Sequence, residues 1–383
     1  MADFPAPPSM EILVNGVPLK DAMPTSLRRQ INRAAVLNFE VPTTAYPSLL
    51  GIEDEYRQGN FIELVYGLGT TPYTMFLGYM PSVSADRQID PENRTVEMTA
   101  YDLIGTFQDY TLTLGDQNSS FATDPGGYEI GALIGTLINE VRRRTTYPPG
   151  VATFTLTGIS GTGPKMAGTQ ITIDPDKALY GNSTVKAWID AYTAKAFDES
   201  RYPETPLFYT YQQRGSRFVW AREKRTTGTV ADIWQRADLH LTIGYDAVVT
   251  GNVSRRPVFT DGHVVTSSGK LWEHADRDSS RRWGGKRFQF AGSTSSTYEV
   301  DAQTDAVRAV ETRKLEVLSF SVAALRDAFI LYPGDTVALE NLESVGLRSG
   351  VYRVSEVSIA FQPVPKTIIV LGEVEKRLTD YLA

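Results

Sequence analysis

The sequence predicts a mainly β protein with an α+β middle: two related β-barrel domains and a smaller mixed α/β domain. Three observations carry that expectation. Alternating apolar runs broken by glycine and proline dominate residues 1–108 and 236–383, the pattern of many short strands. Residues 109–235 contain helical periodicity instead. Three short patterns from the first β region return, in the same order, in the last.

The elements follow in chain order. Ile12 to Val14 runs into Asn15-Gly16, a hairpin turn signal because both residues tolerate positive φ. Val36, Leu37, Phe39 and Val41 form an apolar strand ended by Pro42. Strands over Phe61 to Tyr66, Tyr73 to Met80 and Thr95 to Tyr101 follow. In the last of these, Val96, Met98 and Ala100 alternate with Thr95, Glu97 and Thr99, the period of a strand with one buried face.

In the middle, Ile130, Leu133, Ile134, Leu137, Ile138 and Val141 lie on one stripe of a helix. Arg142 to Arg144 close it, where cations suit the negative end of the helix dipole. A second helix is predicted from a cap at Asn182-Ser183 through Val185, Trp188, Ile189 and Tyr192. Between the two helices, residues 150–168 are rich in glycine and threonine and have β character. From residue 236 the β pattern returns, with an inserted segment and one helix over Asp305 to Lys314. Within Val351 to Phe361 the apolar positions change parity at Ser355-Glu356, the mark of a bulge that curves a strand.

The repeat joins the two β regions. Val36-Leu37-Asn38-Phe39-Glu40-Val41 is matched by Val317-Leu318-Ser319-Phe320-Ser321-Val322, Gly59 to Leu64 by Gly334 to Leu339, and Arg94-Thr95-Val96 by Lys366-Thr367-Ile368. The offsets are 281, 275 and 272 positions, as expected if loops shorten between equivalent strands. Each match alone could arise between any two β segments; three in order point to an internal duplication.

Composition narrows the function. A chain of 383 residues with 42% hydrophobic residues can fill sizeable cores. The formal charge of −7 argues against a general grip on polyphosphate. Basic clusters at Arg222, Lys224, Arg225, at Arg255 and Arg256, and at Arg281, Arg282, Lys286 and Arg287 read as solvated faces or subunit contacts. No cysteine is present, which removes disulfides, thiolate metal sites and cysteine nucleophiles. Met1 to Pro8 has neither a basic start nor an apolar stretch, so no secretory signal is expected. No apolar run approaches the ~18 residues that would span a bilayer, and no membrane segment is expected.

No constellation for catalysis emerges. His240, His263 and His274 are spaced so that no two share a helical face; a metal site using them with Asp261 or Asp276 is the sharper reading, surface or satisfied histidines the ordinary one. Gly158 to Lys165 has a phosphate-loop look, but Pro164 separates glycine from lysine and Met166 stands where the hydroxyl is needed. Glu53-Asp54-Glu55 offers carboxylates without a paired group across a cleft. The 19 tyrosines and 16 phenylalanines sit at strand positions where core packing accounts for them, with stacking on sugar as the alternative. No catalytic, cofactor-binding or metal-ligating residue is expected, and no cofactor.

The order of elements resembles the baseplate hub, or tail-hub, proteins of long-tailed bacteriophages and the hub part of contractile injection system spikes. In that family a strand like Val36 to Val41 precedes a Gly-x-φ-φ-x-φ strand, as at Gly59 to Leu64. A φ-x-Gly-x-φ phrase follows, like Phe76-Leu77-Gly78-Tyr79-Met80, and an Ala-x-Asp strand closes the unit, like Ala100-Tyr101-Asp102. Leu331-Tyr332-Pro333-Gly334-Asp335-Thr336-Val337, followed by Gly350 to Val354, is similar to the family's Pro-Gly-Asp phrase. The middle region has no such match.

The resemblance implies two tail-tube-like barrels per subunit and a homotrimer whose six barrels form a pseudo-sixfold ring. Such a ring joins the tail tube or distal tail protein to the central spike or tip protein, meets the tape-measure protein, and lets DNA pass without specific binding. The implied location is the virion tail tip, after synthesis in the host bacterial cytoplasm, and the lumen is expected to be acidic or neutral so that DNA does not adhere. Two other classes stay open: a tail-associated cell-wall or glycan hydrolase, and a carbohydrate-binding adhesion module. A type VI secretion spike would carry a β-helical needle beyond the barrels, and no such repeat follows Leu371.

Overall fold

The computed structural model describes residues 9–42, 61–68, 71–80, 89–90, 95–111, 134–135, 137–138, 141, 155–157, 184–195, 209–215, 217–222, 239–255, 258–285, 288–293, 299–311, 318–324, 328–347, 349–362 and 366–373.

The first half is built from β1 (Ser9–Val14), β2 (Val17–Pro18), β3 (Met23–Gln30), β4 (Val36–Pro42), β5 (Phe61–Leu68), β6 (Thr71–Tyr79), β7 (Ile89–Asp90) and β8 (Thr95–Asp102). The turn from β1 to β2 holds Asn15 at φ 51° and Gly16 at φ 80°, the paired positive dihedrals that the Asn-Gly dipeptide signals. Leu37, Phe39 and Val41 of β4 are buried in alternation, as its sequence predicts.

The middle region contributes α1 (Thr106–Asp109), β9 (Thr155–Thr157), α2 (Val185–Lys195), β10 (Tyr209–Arg214) and β11 (Arg217–Arg222). β10 and β11 form a hairpin, and β9 pairs with β11 in parallel. Ile134, Leu137, Ile138 and Val141 are helical and buried on the predicted stripe, while Ile130, Leu133 and Arg142 to Arg144 lie outside the described residues. This stripe packs with Val185, Trp188 and Ile189 of α2, with Tyr211, Phe218 and Trp220 of the hairpin, and with Phe61 and Leu77 from the first half. The start of α2 departs from expectation. Thr184, not Ser183, provides the cap, its Oγ1 accepting from the Ala187 amide at 3.3 Å.

The second half contains β12 (Leu239–Thr242), β13 (Ala247–Arg255), an inserted unit, and then β17 (Leu318–Ala324), β18 (Thr336–Glu340), β19 (Gly350–Ala360) and β20 (Lys366–Glu373). The insertion holds β14 (Asp261–Val265), β15 (Leu271–Ala275), α3 (Arg277–Arg282), β16 (Gln289–Ser293) and α4 (Glu299–Glu311). β14 is flanked by β15 and β16. Ala302 and Ala306 of α4 pack against Val264, Trp272 and Phe290 of that sheet. α4 begins six residues before the expected Asp305, because Ala302 extends the stripe that meets the sheet one turn earlier.

The two β regions do not form two separately closed barrels among the described residues. Their strands belong to one fourteen-stranded sheet, ordered β13-β17-β20-β19-β3-β4-β8-β6-β5-β1-β2, with β12, β18 and β7 branching from it. The physical reason is β19. The parity change expected at Ser355-Glu356 is a register shift against β20 between Val354 and Glu356. Before the shift β19 pairs with β18; after it, residues 356–360 run along β3 of the first half. One apolar core therefore spans both halves, with Phe39, Ile62 and Leu64 in the same cluster as Phe320, Val337 and Leu339. No helix among the described residues is long and apolar enough to cross a membrane.

Candidate functional site

The feature with the most chemistry in it is the joint between the halves. Along β3 and β19, Gln30 faces Glu356, Arg28 faces Ser358 and Ser26 faces Ala360. The Arg28 guanidinium donates to both oxygens of Glu356, from Nε at 2.7 Å and from Nη2 at 3.2 Å. Gln30 Nε2 and Ser358 Oγ also donate to that carboxylate. Burial alone would raise the Glu356 pKa, but the bonds from Arg28, Gln30 and Ser358 and the charge of Arg28 outweigh it and hold the group below the ordinary glutamate range.

On the opposite face of β3 stands Arg29, 4% exposed. A buried guanidinium must have its donors satisfied. Its Nη1 donates to the carbonyls of Phe329 and Leu331, both at 2.9 Å, and its Nη2 to that of Met75 at 2.6 Å. The guanidinium carbon lies 4.2 Å from the centroid of Tyr332, and Arg214 of the middle region approaches the same ring at 5.1 Å. Arg214 Nη2 also bonds Asp335 Oδ1 at 2.6 Å. Burial pushes the Asp335 carboxyl up, while Arg214, the Tyr332 amide and Arg29 pull it back. Three parts of the chain thus converge on Tyr332 and Asp335. All of these groups are engaged with one another, and the arrangement is one that fixes geometry.

The two halves share a strand order. The first reads β1-β5-β6-β8-β4-β3 and the second β12-β18-β19-β20-β17-β13. The difference is at the outer end, where β12 runs parallel to β18 but β1 antiparallel to β5. Phe39 and Val41 correspond to Phe320 and Val322, buried at the expected offset of 281, and Ile62 and Leu64 to Val337 and Leu339 at 275. The third match needs correction. Phe39 pairs with Met98, whereas Phe320 pairs with Leu371, which sets the offset between β8 and β20 at 273. An offset of 272 would exchange the buried and exposed faces of the strand. Thr95 therefore corresponds to Ile368, and the shared basic-threonine triplet is not a structural equivalence.

The other candidate residues do not come together. His263 on β14 lies 3.5 Å from Glu273, while His274 points to the opposite face of the same sheet, beside Gly262 in register. His240 is exposed on β12. Asp261 bonds Thr260, and Asp276 caps α3 through the Ser279 amide. No three His, Asp or Glu side chains converge among the described residues. Arg281 makes a solvent-exposed pair with Asp278. Glu53 to Glu55, Gly158 to Lys165, Lys224, Arg225, Arg256, Lys286 and Arg287 lie outside the described residues.

Comparison with known proteins gives one clear result. No protein-family model matches the chain, and no curated protein sequence matches it. Solved structures do. A tail protein from Neisseria meningitidis MC58 is similar over 96% of both chains, with a TM-score of 0.58 at 12% identity. The 43 kDa tail protein of prophage MuSo2 from Shewanella oneidensis is similar over 96% of this chain and 98% of that one, with a TM-score of 0.57 at 12% identity. Prophage tail protein gp18 from Listeria monocytogenes aligns over 97% of each chain at a TM-score of 0.49 and 11% identity. The chain has the fold of a phage tail protein.

Within this tail-protein fold, the phrases noted in the sequence have physical roles. Gly78 sits where β6 crosses onto β8, and a Cβ there would lie 2.1 Å from the Tyr101 carbonyl oxygen. Only glycine permits that approach. Asp102, at the end of β8, is buried and accepts from the Ile104 amide at 3.0 Å, holding the turn into the middle region. Burial pushes its pKa up to about 7, against backbone bonds from Ala35, Ile104 and Gly105 that lower it. Asp335 accepts from the Tyr332 amide at 2.8 Å, closing the Pro-Gly-Asp turn that leads into β18. Sequence reasoning missed Arg28, Arg29, Arg214 and Glu356. The one available signal was a charged residue at the parity change of an alternating apolar pattern, at Glu356.

Proposed function

We propose that this chain is a structural component of a phage tail, a baseplate hub that assembles as a homotrimer. The single observation that carries the reading is the repeated six-strand order of the two halves. A chain with two equivalent units, repeated three times about an axis, presents six equivalent units. It can therefore match a sixfold tube on one side and a threefold spike on the other. Each half would serve as one tail-tube-like unit of that ring. The Arg28–Glu356 bonds and the Arg29–Tyr332–Arg214–Asp335 cluster support the same role, since a ring keeps its symmetry only if the two units of a chain are held rigidly.

The role is one of assembly, without catalysis. The ring would bind the tail tube or a distal tail protein, a central spike or tip protein and the tape-measure protein, within the virion. DNA would pass through a lumen that is acidic or neutral and so does not retain it. Light scattering of the purified chain tests the reading: a mass three times 42.3 kDa is expected. A monomer at every concentration, or a stoichiometry that is not a multiple of three, would contradict it.

A further inference from the structure

The turn between β1 and β2 holds the one Asn-Gly pair in the chain, Asn15-Gly16. Among the described residues three asparagines stand at positive φ: Asn15 at 51°, Asn32 at 59° and Asn341 at 61°. Asn32 and Asn341 are followed by Arg33 and Leu342, whose side chains crowd the next backbone nitrogen. Asn15 is followed by glycine alone. Gly16 is exposed, and even a Cβ added there would meet nothing within 4 Å.

That pairing has a chemistry of its own. The Gly16 nitrogen, once it has given its proton to hydroxide, can attack Cγ of Asn15. The N–Cγ bond forms, the Cγ–Nδ2 bond breaks, and Nδ2 leaves as ammonia with a proton taken from water. Water then opens the five-membered imide at either carbonyl, leaving an aspartate or an isoaspartate. The net change is amide plus water to carboxylic acid plus ammonia, and no oxidant or cofactor is consumed.

The fold opposes the first step. Closing the ring requires Asn15 to leave the left-handed backbone well that the turn imposes. It also requires Cγ to swing over the Gly16 nitrogen, and two bonds resist that movement. Oδ1 of Asn15 accepts from the Phe61 amide at 3.1 Å, and the Asn15 amide donates to the Phe61 carbonyl at 2.9 Å. They clip the turn to the first residue of β5, and Phe61 is itself buried in the core shared with the middle region.

We propose that Asn15 is a site of spontaneous deamidation gated by this clip, slow in the folded chain and fast once the turn separates from Phe61. The inference stands apart from the tail reading. An isoaspartate adds a carbon to the main chain inside the two-residue turn that sets Val14 opposite Val17, so it does not fit the clip. The turn thereby marks chains according to the time they spend unfolded.

Mass spectrometry of the peptide carrying residue 15 tests the proposal on the full chain. Samples are held in mildly alkaline buffer, folded and in denaturant, and conversion of amide to carboxylate is followed. Asn15 is expected to convert about tenfold or more faster in denaturant, since the folded rate waits on local opening of the turn. There it converts ahead of Asn32 and Asn341. Gly16→Ala, read in denaturant where its φ imposes no strain, is expected to slow conversion about tenfold by crowding the nitrogen. Equal rates in folded and denatured chains would overturn the gate. Failure of Asn15 to convert in denaturant, or no slowing by Gly16→Ala, would overturn the site.

Discussion

Gly78 and Asp102 illustrate how single residues set the first half. At Gly78 any side chain collides with its neighbours: the Tyr101 carbonyl oxygen lies 2.1 Å and the Phe76 ring carbon Cζ 2.6 Å from the Cβ position. Gly78→Ala is therefore expected to destabilise by about 1–3 kcal/mol or more, as overpacking does, measured by chemical denaturation. Asp102 makes a pH-dependent contribution. Its folded pKa, about 7, exceeds the ordinary 3.8, so the folded chain holds the proton more tightly than the unfolded chain. The stability that this proton confers is full below the ordinary aspartate range and is lost as pH rises to about 7. Melting curves across that window should show the wild type falling relative to Asp102→Asn, with the gap constant above it. Neither role is legible in isolation. Gly78 and Asp102 stand out in the sequence as parts of phrases, but the carbonyl that excludes a methyl group and the burial of the carboxyl appear only once β6 and β8 meet.

At the scale of elements, strands with strict alternation were readable and the strand that matters most was not. Leu37, Phe39 and Val41 announce β4, and the parity change at Ser355-Glu356 announces the bulge in β19. β3 carries Pro24, Arg28 and Arg29 among few apolar residues, and no periodicity marks it as a strand. Its stability comes from partners far away in the chain, Glu356 and the carbonyls of Phe329 and Leu331. The shared triplet at Arg94 and Lys366 misled by one position because local composition carries no register; the pairing of Phe39 and Phe320 does. The joint itself can be tested. The Glu356 carboxylate is held below its ordinary range, so the stability it confers is present at neutral pH and is lost as pH falls through the folded value. Glu356→Gln is expected to lose about 0.5–1 kcal/mol at pH 7, given that Arg28 is largely exposed, and the difference should vanish in acid; thermal melts at both pH values check it.

At the scale of the molecule, the duplication was visible in the sequence but its consequence was not. Two β regions with matching patterns predict two similar units; they do not reveal that β3 and β19 fuse them into one sheet with a common core. That fusion depends on β19 outrunning β18, a matter of strand length and bulge placement rather than of motif. It also gives the two units a fixed relation inside each chain, which a ring of three would repeat between chains. The inserted unit around α4 and the middle hairpin form sheets of their own and do not interrupt its order. The most direct test is an electron cryo-microscopy reconstruction of the assembled protein. Six sheet units at one radius, alternating between first and second halves about a threefold axis, are the expected result. Halves at different radii, or copies packed without a common axis, would contradict the account.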